Sequence, residues 1–128
     1  MAADTVTDEQ AWALLRGAEN AWRVRDVQLL ARVLHPEIRI VFNFGDPICG
    51  VDQATAWIEE RLQTQLDYVL TKEMRGIYDG NTVVSRWTGT WHEAGGKNFR
   101  GVGIELLTVD GAGLITNWEA VLHREQMS

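Results

Sequence analysis

Apolar residues recur at helical spacing over the first half of the chain and at alternate positions over the second. Trp12, Leu15, Ala18 and Trp22 line one face of a helix that follows Thr7. Asp8 and Glu9 lie in its first turn, and Gln10 completes a loose capping box with Thr7. Asp26 caps a second helix with the stripe Val27, Leu30, Ala31 and Leu34, ending at His35-Pro36. Residues 38–44 read as a strand, and Gly45-Asp46-Pro47 turns the chain. A third helix starts at Asp52 and carries Ala54, Trp57, Ile58 and Leu62. From Tyr68 onward, strands alternate with turn signals at Asp79-Gly80-Asn81, Ala94-Gly95-Gly96 and Asp110-Gly111-Ala112-Gly113. The order predicts an α+β fold, a curved antiparallel sheet with the N-terminal helices packed on one face, in one domain over residues 1–128.

Residues paired across a hairpin share a face, so turn lengths carry a face assignment along the meander. A two-residue Gly80-Asn81 loop sets Met74 opposite Trp87, Leu70 opposite Trp91 and Tyr78 opposite Val83. A three-residue loop at 94–96 sets Trp91 opposite Phe99 and Ser85 opposite Glu105, and a four-residue last loop sets Glu105 opposite Trp118. One face then holds Met74, Tyr78, Trp87, Trp91, Phe99, Leu107 and Trp118, with Ser85 and Glu105 as its polar members. A two-residue second turn would instead bring Arg100 onto the tryptophan face. The other face mixes Glu73, Arg75, Arg86 and Arg100 with Val102, Ile104 and Leu106, a composition suited to a homodimer interface through Glu73, Arg86, Arg100 and Ile104.

Charge narrows the partners. A formal net charge of -6 argues against nucleic acid or an anionic membrane surface. No apolar run reaches the roughly 20 residues of a membrane helix. The polar, acidic opening MAADTVTDEQ resembles no signal or transit peptide, so a cytoplasmic location is expected. Cys49 is the only cysteine and the three histidines lack metal-ligand spacing, so neither a metal nor another cofactor is expected.

Glu105 carries the candidate chemistry, as an acid inside the apolar strand 99–109. In a cavity, desolvation favours its protonated form, which can donate a proton or hydrogen bond; as a carboxylate it abstracts one. Phe42, Trp22, Trp57, Met74, Trp87, Trp91, Phe99 and Trp118 are the candidate walls, although some of the tryptophans are plain core. Asn43 is placed to orient a bound carbonyl. His92 lies beside a turn on the outer face, which sets it apart from the pocket.

Several segments resemble the SnoaL-like branch of the nuclear transport factor 2-like superfamily. They are Asp26 with Leu29-Leu30 before His35-Pro36, Gly50 before the third helix, and the strand-turn-strand 109–115 followed by Trp118. Leu66-Asp67-Tyr68, Leu70, Lys72-Glu73, Arg86, Trp91-His92, Phe99-Arg100 and Glu105 resemble an uncharacterised subgroup of that branch. The resemblance implies a cone-shaped barrel that pairs through its outer sheet face. It also implies a small-molecule pocket like those of ketosteroid isomerases, polyketide cyclases, scytalone dehydratases and limonene epoxide hydrolases. Glu105 falls where ketosteroid isomerases carry an oxyanion-hole acid, and Trp57 where they carry a pocket aromatic. Ala18 replaces their tyrosine, and Val41 or Phe42 their basic aspartate, so their mechanism is not expected here. Where the subgroup carries a tryptophan and two arginines around Asn43, this chain has Val41, Phe42 and Phe44, which makes the pocket more apolar. The expectation is a cofactor-free acid–base enzyme on a small apolar substrate. The alternatives are a dimer that binds a hydrophobic ligand without chemistry, or an association domain whose cavity its own side chains fill.

Overall fold

The computed structural model describes residues 5–127; residues 1–4 of the polar opening, read above for targeting signals, lie outside that range. Helix α1 spans Asp8–Val24, α2 Val27–Ala31 and α3 Val51–Thr64. The strands are β1 Leu34–Phe42, β2 Ile48–Cys49, β3 Leu66–Tyr78, β4 Thr82–Glu93, β5 Lys97–Val109 and β6 Ile115–Met127. They form one curved six-stranded sheet in the order β2-β1-β6-β5-β4-β3. This is the α+β arrangement expected, with one difference. β1 runs parallel to β6, so the sheet is mixed and the first strand closes against the last.

Local signals set the helix starts. The Thr7 hydroxyl accepts from the Gln10 N–H, and the Gln10 side chain accepts from the Thr7 N–H, which completes the capping box. The Asp26 carboxylate accepts from the Gln28 N–H and caps α2. The second helix stops at Ala31, earlier than its apolar stripe suggested, because Leu34 leaves it to begin β1. His35 therefore lies in a strand, where its Nδ1 accepts from the Glu37 N–H. Arg25 ends α1 in the left-handed conformation, and its guanidinium donates to the Leu62 and Gln65 carbonyls at the end of α3. That contact fixes the spacing of the two helices that overlie the sheet. Leu15, Ile38, Ile40, Ala54, Ile58 and Val83 make the fully buried centre of the core.

The β4–β5 register is the expected one, with Ser85 opposite Glu105 and Trp91 opposite Phe99; Arg100 points out. The β3–β4 register is not. The turn has three residues, Asp79, Gly80 and Asn81, and a bulge falls between Met74 and Gly76. Each irregularity shifts the pairing by one residue. Together they preserve the face of Leu70 and Met74 but move their partners, so Met74 lies opposite Ser85 and Lys72 opposite Trp87. Between the two, Ile77 replaces Tyr78 opposite Val83, and Tyr78 is 69% exposed. The β5–β6 pairing is likewise shifted by two, which sets Glu105 opposite Ala120 and Leu107 opposite Trp118.

Candidate functional site

Glu105 lies on β5 with 1% of its surface exposed, facing the helices as expected. It is the one acid among the residues that line the pocket, but it is not without a partner. Lys72 on β3, 5% exposed, donates from Nζ to Glu105 Oε2 at 2.5 Å, and the fully buried Ser85 hydroxyl on β4 donates to the same oxygen at 2.8 Å. An ammonium and a hydroxyl on one oxygen make Glu105 the carboxylate half of a buried ion pair. Of the two roles expected of Glu105, donor or acceptor of a proton, these partners suit the acceptor. Oε1 receives no hydrogen bond from the described residues.

The backbone of Lys72 is gripped from outside the sheet. β3 is an edge strand, so alternate main-chain groups lack a strand partner. Helix α1 supplies partners: Glu19 Oε2 accepts from the Lys72 N–H at 2.6 Å, and Arg16 donates to the Lys72 carbonyl at 3.3 Å. Arg16 and Glu19 are themselves paired at 2.8 Å. Two side chains of one helix turn thus hold the strand position from which Lys72 reaches inward.

Together with Glu105 and Lys72, the residues Trp22, Phe42, Trp57, Arg61, Gln65, Tyr68, Leu70, Trp87, Trp118 and Ala120 line a partly open void of about 30 Å³. That is the space of about one water. Phe42, Trp57 and Trp118 form one aromatic run, with centroids 5.5 and 5.9 Å apart. Trp22, Tyr68, Trp91 and Phe99 form another, at 5.6, 5.3 and 5.9 Å. The indole of Trp87 lies flat across Gly103, where a Cβ would stand 2.5 Å from the ring. A groove of about 440 Å³ on the outer sheet face is larger, but no buried charged group lines it.

Of the walls expected from sequence, Phe42, Trp22, Trp57, Trp87 and Trp118 line the void. Trp91, Phe99, Met74 and Asn43 are not in its lining. Trp91 and Phe99 instead stack behind Tyr68. Asn43 is exposed, and its side-chain carbonyl accepts from the Leu122 N–H at 2.7 Å, tying the end of β1 to β6. His92 approaches Asp67 at 3.5 Å, away from the cavity.

Lys72, Arg61, Gln65 and Tyr68 were not among the expected site residues. Strict alternation from Leu70 to Met74 already places Lys72 on the inner face. Trp57, Arg61 and Gln65 follow one another at four-residue intervals, the spacing of one helix face. Burial raises the Tyr68 phenol well above its ordinary pKa; Arg61 pulls it back in part, and Glu105 raises it further. Tyr68 is therefore a neutral donor at ordinary pH. Burial lowers the Arg61 pKa; Tyr68 counteracts this and Arg124 adds to it. Gln65 Oε1 and Trp118 Nε1 are buried without a hydrogen-bond partner among the described residues. Both residues belong to the lining of this void.

Residues 4–127 match the family model described as "Protein of unknown function (DUF1348)". The chain belongs to this family. No curated protein matches the sequence. Among solved structures, the DUF1348 chain is similar to a steroid delta-isomerase from Pseudomonas aeruginosa, with a TM-score of 0.69 and 21% identity over 93% of this chain and 83% of that one. It is also similar to a putative SnoaL-like polyketide cyclase from Jannaschia sp. CCS1, with a TM-score of 0.78 and 16% identity over 89% and 85%. A third likeness is to SalBIII, an epoxide hydrolase/cyclase-like enzyme of pyran ring formation in the polyether salinomycin, with a TM-score of 0.81 and 11% identity over 94% and 98%. At these identities the likeness establishes the SnoaL-like, nuclear transport factor 2-like fold.

Proposed function

We propose that this DUF1348 protein is a cofactor-free acid–base enzyme of isomerase, cyclase, dehydratase or hydrolase type, acting on a small molecule with an apolar body. The observation that carries the reading is the buried Glu105 carboxylate, held at Oε2 by Lys72 and Ser85. Oε1 takes a proton from substrate carbon or from an attacking water. Lys72 and Ser85 are positioning residues that fix the plane of the carboxylate. Tyr68, neutral at ordinary pH, donates to the oxygen on which charge develops. The aromatic runs exclude water and hold the apolar body. Fold relatives named as isomerase, cyclase and epoxide hydrolase/cyclase-like enzyme support this range of reactions.

Turnover of two probe classes tests the proposal, a β,γ-unsaturated cyclic ketone for proton transfer and a cyclic epoxide for ring opening. The wild-type protein is expected to convert at least one of them. Glu105→Gln should cut that rate by about 10²–10⁴, the usual contribution of a general base. Conversion of neither probe, or equal rates for wild type and Glu105→Gln, would refute it.

The void of about 30 Å³, room for about one water, favours a second reading, an association domain whose cavity its own side chains fill. Under that reading neither probe binds or is converted, and Glu105→Gln changes stability alone. Either way, Ile104, Leu106 and Val121, exposed on the outer sheet face, support pairing of two copies there.

A further inference from the structure

The cavity lining carries a cation with no contacting counter-ion among the described residues. Arg61 and Lys72 are its cations and Glu105 its only anion; the Lys72–Glu105 pair cancels, which leaves Arg61. Among the described residues, the Arg61 guanidinium takes part in no ion pair or hydrogen bond. It rests on two rings, 4.6 Å from the Phe42 centroid and 5.0 Å from that of Trp57. Glu60 and Glu93 attract it without contacting it, while the nearby Arg124 repels it and holds Glu93 at 2.9 Å. A half-buried guanidinium with no carboxylate in contact is only partly compensated, and a ligand carboxylate would complete it.

Two more groups without a partner among the described residues belong to the same lining, the Trp118 Nε1–H donor and the Gln65 Oε1 acceptor. The three demands together select a ligand. One water would satisfy the indole and the amide but not the charge. A simple halide would satisfy Arg61 and the indole but offer Gln65 nothing. A carboxylate matches the flat arginine fork and spares an oxygen for the indole, and a hydroxyl beside it donates to Gln65. Arg61 is also the wall that yields. Rings alone hold its head group, so it can swing out to admit a ligand larger than the void and close on its anionic end.

We propose that the pocket takes a small hydroxy acid, with its carboxylate on Arg61 and Trp118, its hydroxyl on Gln65, and its apolar body among Phe42, Trp57 and Trp87. This rests on reading the cavity as a ligand site and names a ligand class for it, separable from the reaction proposed at Glu105. Mandelate, phenylacetate and mandelamide separate the demands, because the second lacks the hydroxyl and the third the charge. Tryptophan fluorescence and calorimetry on the full chain measure their affinities.

Mandelate should bind at least ten-fold more tightly than mandelamide, with phenylacetate between them. Arg61→Met should abolish the preference for carboxylate over amide, and Arg61→Lys should retain part of it. Gln65→Met should erase the difference between mandelate and phenylacetate; circular dichroism verifies that each variant is folded. The proposal falls if mandelamide binds as well as mandelate, if the preference survives in Arg61→Met, or if none of the three binds at millimolar concentration. Glu105→Gln separates this outcome from that of the enzyme reading. Carboxylate binding that persists or tightens in Glu105→Gln, with no turnover lost, overturns the enzyme and leaves the ligand class standing. Turnover that depends on Glu105 with no carboxylate preference does the reverse.

Discussion

Replacing Lys72 by methionine keeps the length of the side chain and removes the ammonium from a pair in which the partners are 5% and 1% exposed. Glu105 would then keep one hydrogen bond, from Ser85. Removing one member of a buried pair costs about 3–5 kcal/mol, since the remaining charge has lost both water and counter-ion. At roughly 2.1 cal/mol/K per residue, the unfolding entropy of this 128-residue chain is about 0.27 kcal/mol/K, so 4 kcal/mol lowers Tm by about 15 °C. Lys72→Met/Glu105→Gln removes both charges and leaves Ser85 an acceptor. Glu105→Gln strands the Lys72 ammonium and should cost a similar amount, so a double variant within about 1 kcal/mol of wild type, as expected here, gives a coupling energy of at least about 5 kcal/mol. Urea unfolding of the four proteins at pH 7, followed by tryptophan fluorescence, measures the cycle. A cost below about 1 kcal/mol for Lys72→Met is the range of a solvated surface pair, and it would refute the low-dielectric environment assigned to Glu105. A purely additive cycle would refute the pairing itself.

Tyr68 makes alkaline stability diagnostic. Its folded-state pKa is raised, so the unfolded chain releases the phenolic proton first. Its contribution is therefore complete below about pH 10 and is lost as pH rises beyond, at about 1.4 kcal/mol per pH unit. Tyr68→Phe should flatten that decline and remove the upward-displaced component of the 295 nm titration; an unchanged titration curve would count against a buried phenol. Gly103→Ala places a Cβ 2.5 Å from the Trp87 indole and should cost about 1–3 kcal/mol, with a changed near-ultraviolet dichroism band. A silent substitution would mean the indole does not lie on β5. Ile104→Asp on the outer face should shift the protein toward monomer in sedimentation velocity, and an unaltered distribution would remove that face as the interface.

Element order, helix caps and the inner position of Glu105 were legible because each depends on short-range spacing. Thr7 with Gln10, Asp26 before Val27, and the 94–96 turn act within a few residues of themselves. The β3–β4 pairing was not legible because a bulge has no fixed sequence signature; its extra residue at Arg75 and the longer turn moved Lys72 opposite Trp87. Glu105 therefore read as solitary when its counter-ion stood one strand beyond Ser85. Lys72 was hidden a second time by its neighbour, since Lys72-Glu73 resembles an ordinary exposed charge pair. Asn43 illustrates the opposite failure. Its polar side chain near the cavity suggested a ligand contact, but the parallel β1–β6 pairing requires it as a backbone tie.

The parallel join between β1 and β6 also dictates when the pocket can exist. Arg39 pairs with Asn117 and Phe42 with Ala120, so the sheet closes only when segments nearly 80 residues apart meet. During synthesis α1 and α3 leave the ribosome well before Trp118 and Ala120, while the hairpins of β3, β4 and β5 can zip locally in the interval. For that period the tryptophan-bearing face of the meander lacks its last wall, and Lys72 and Glu105 must pair in an unroofed site. The protein thus becomes competent to hold a ligand in one late step, when β6 slides between β5 and β1. A nascent chain stalled before residue 115 should carry a folded hairpin surface that chaperones recognise, and no binding activity at all.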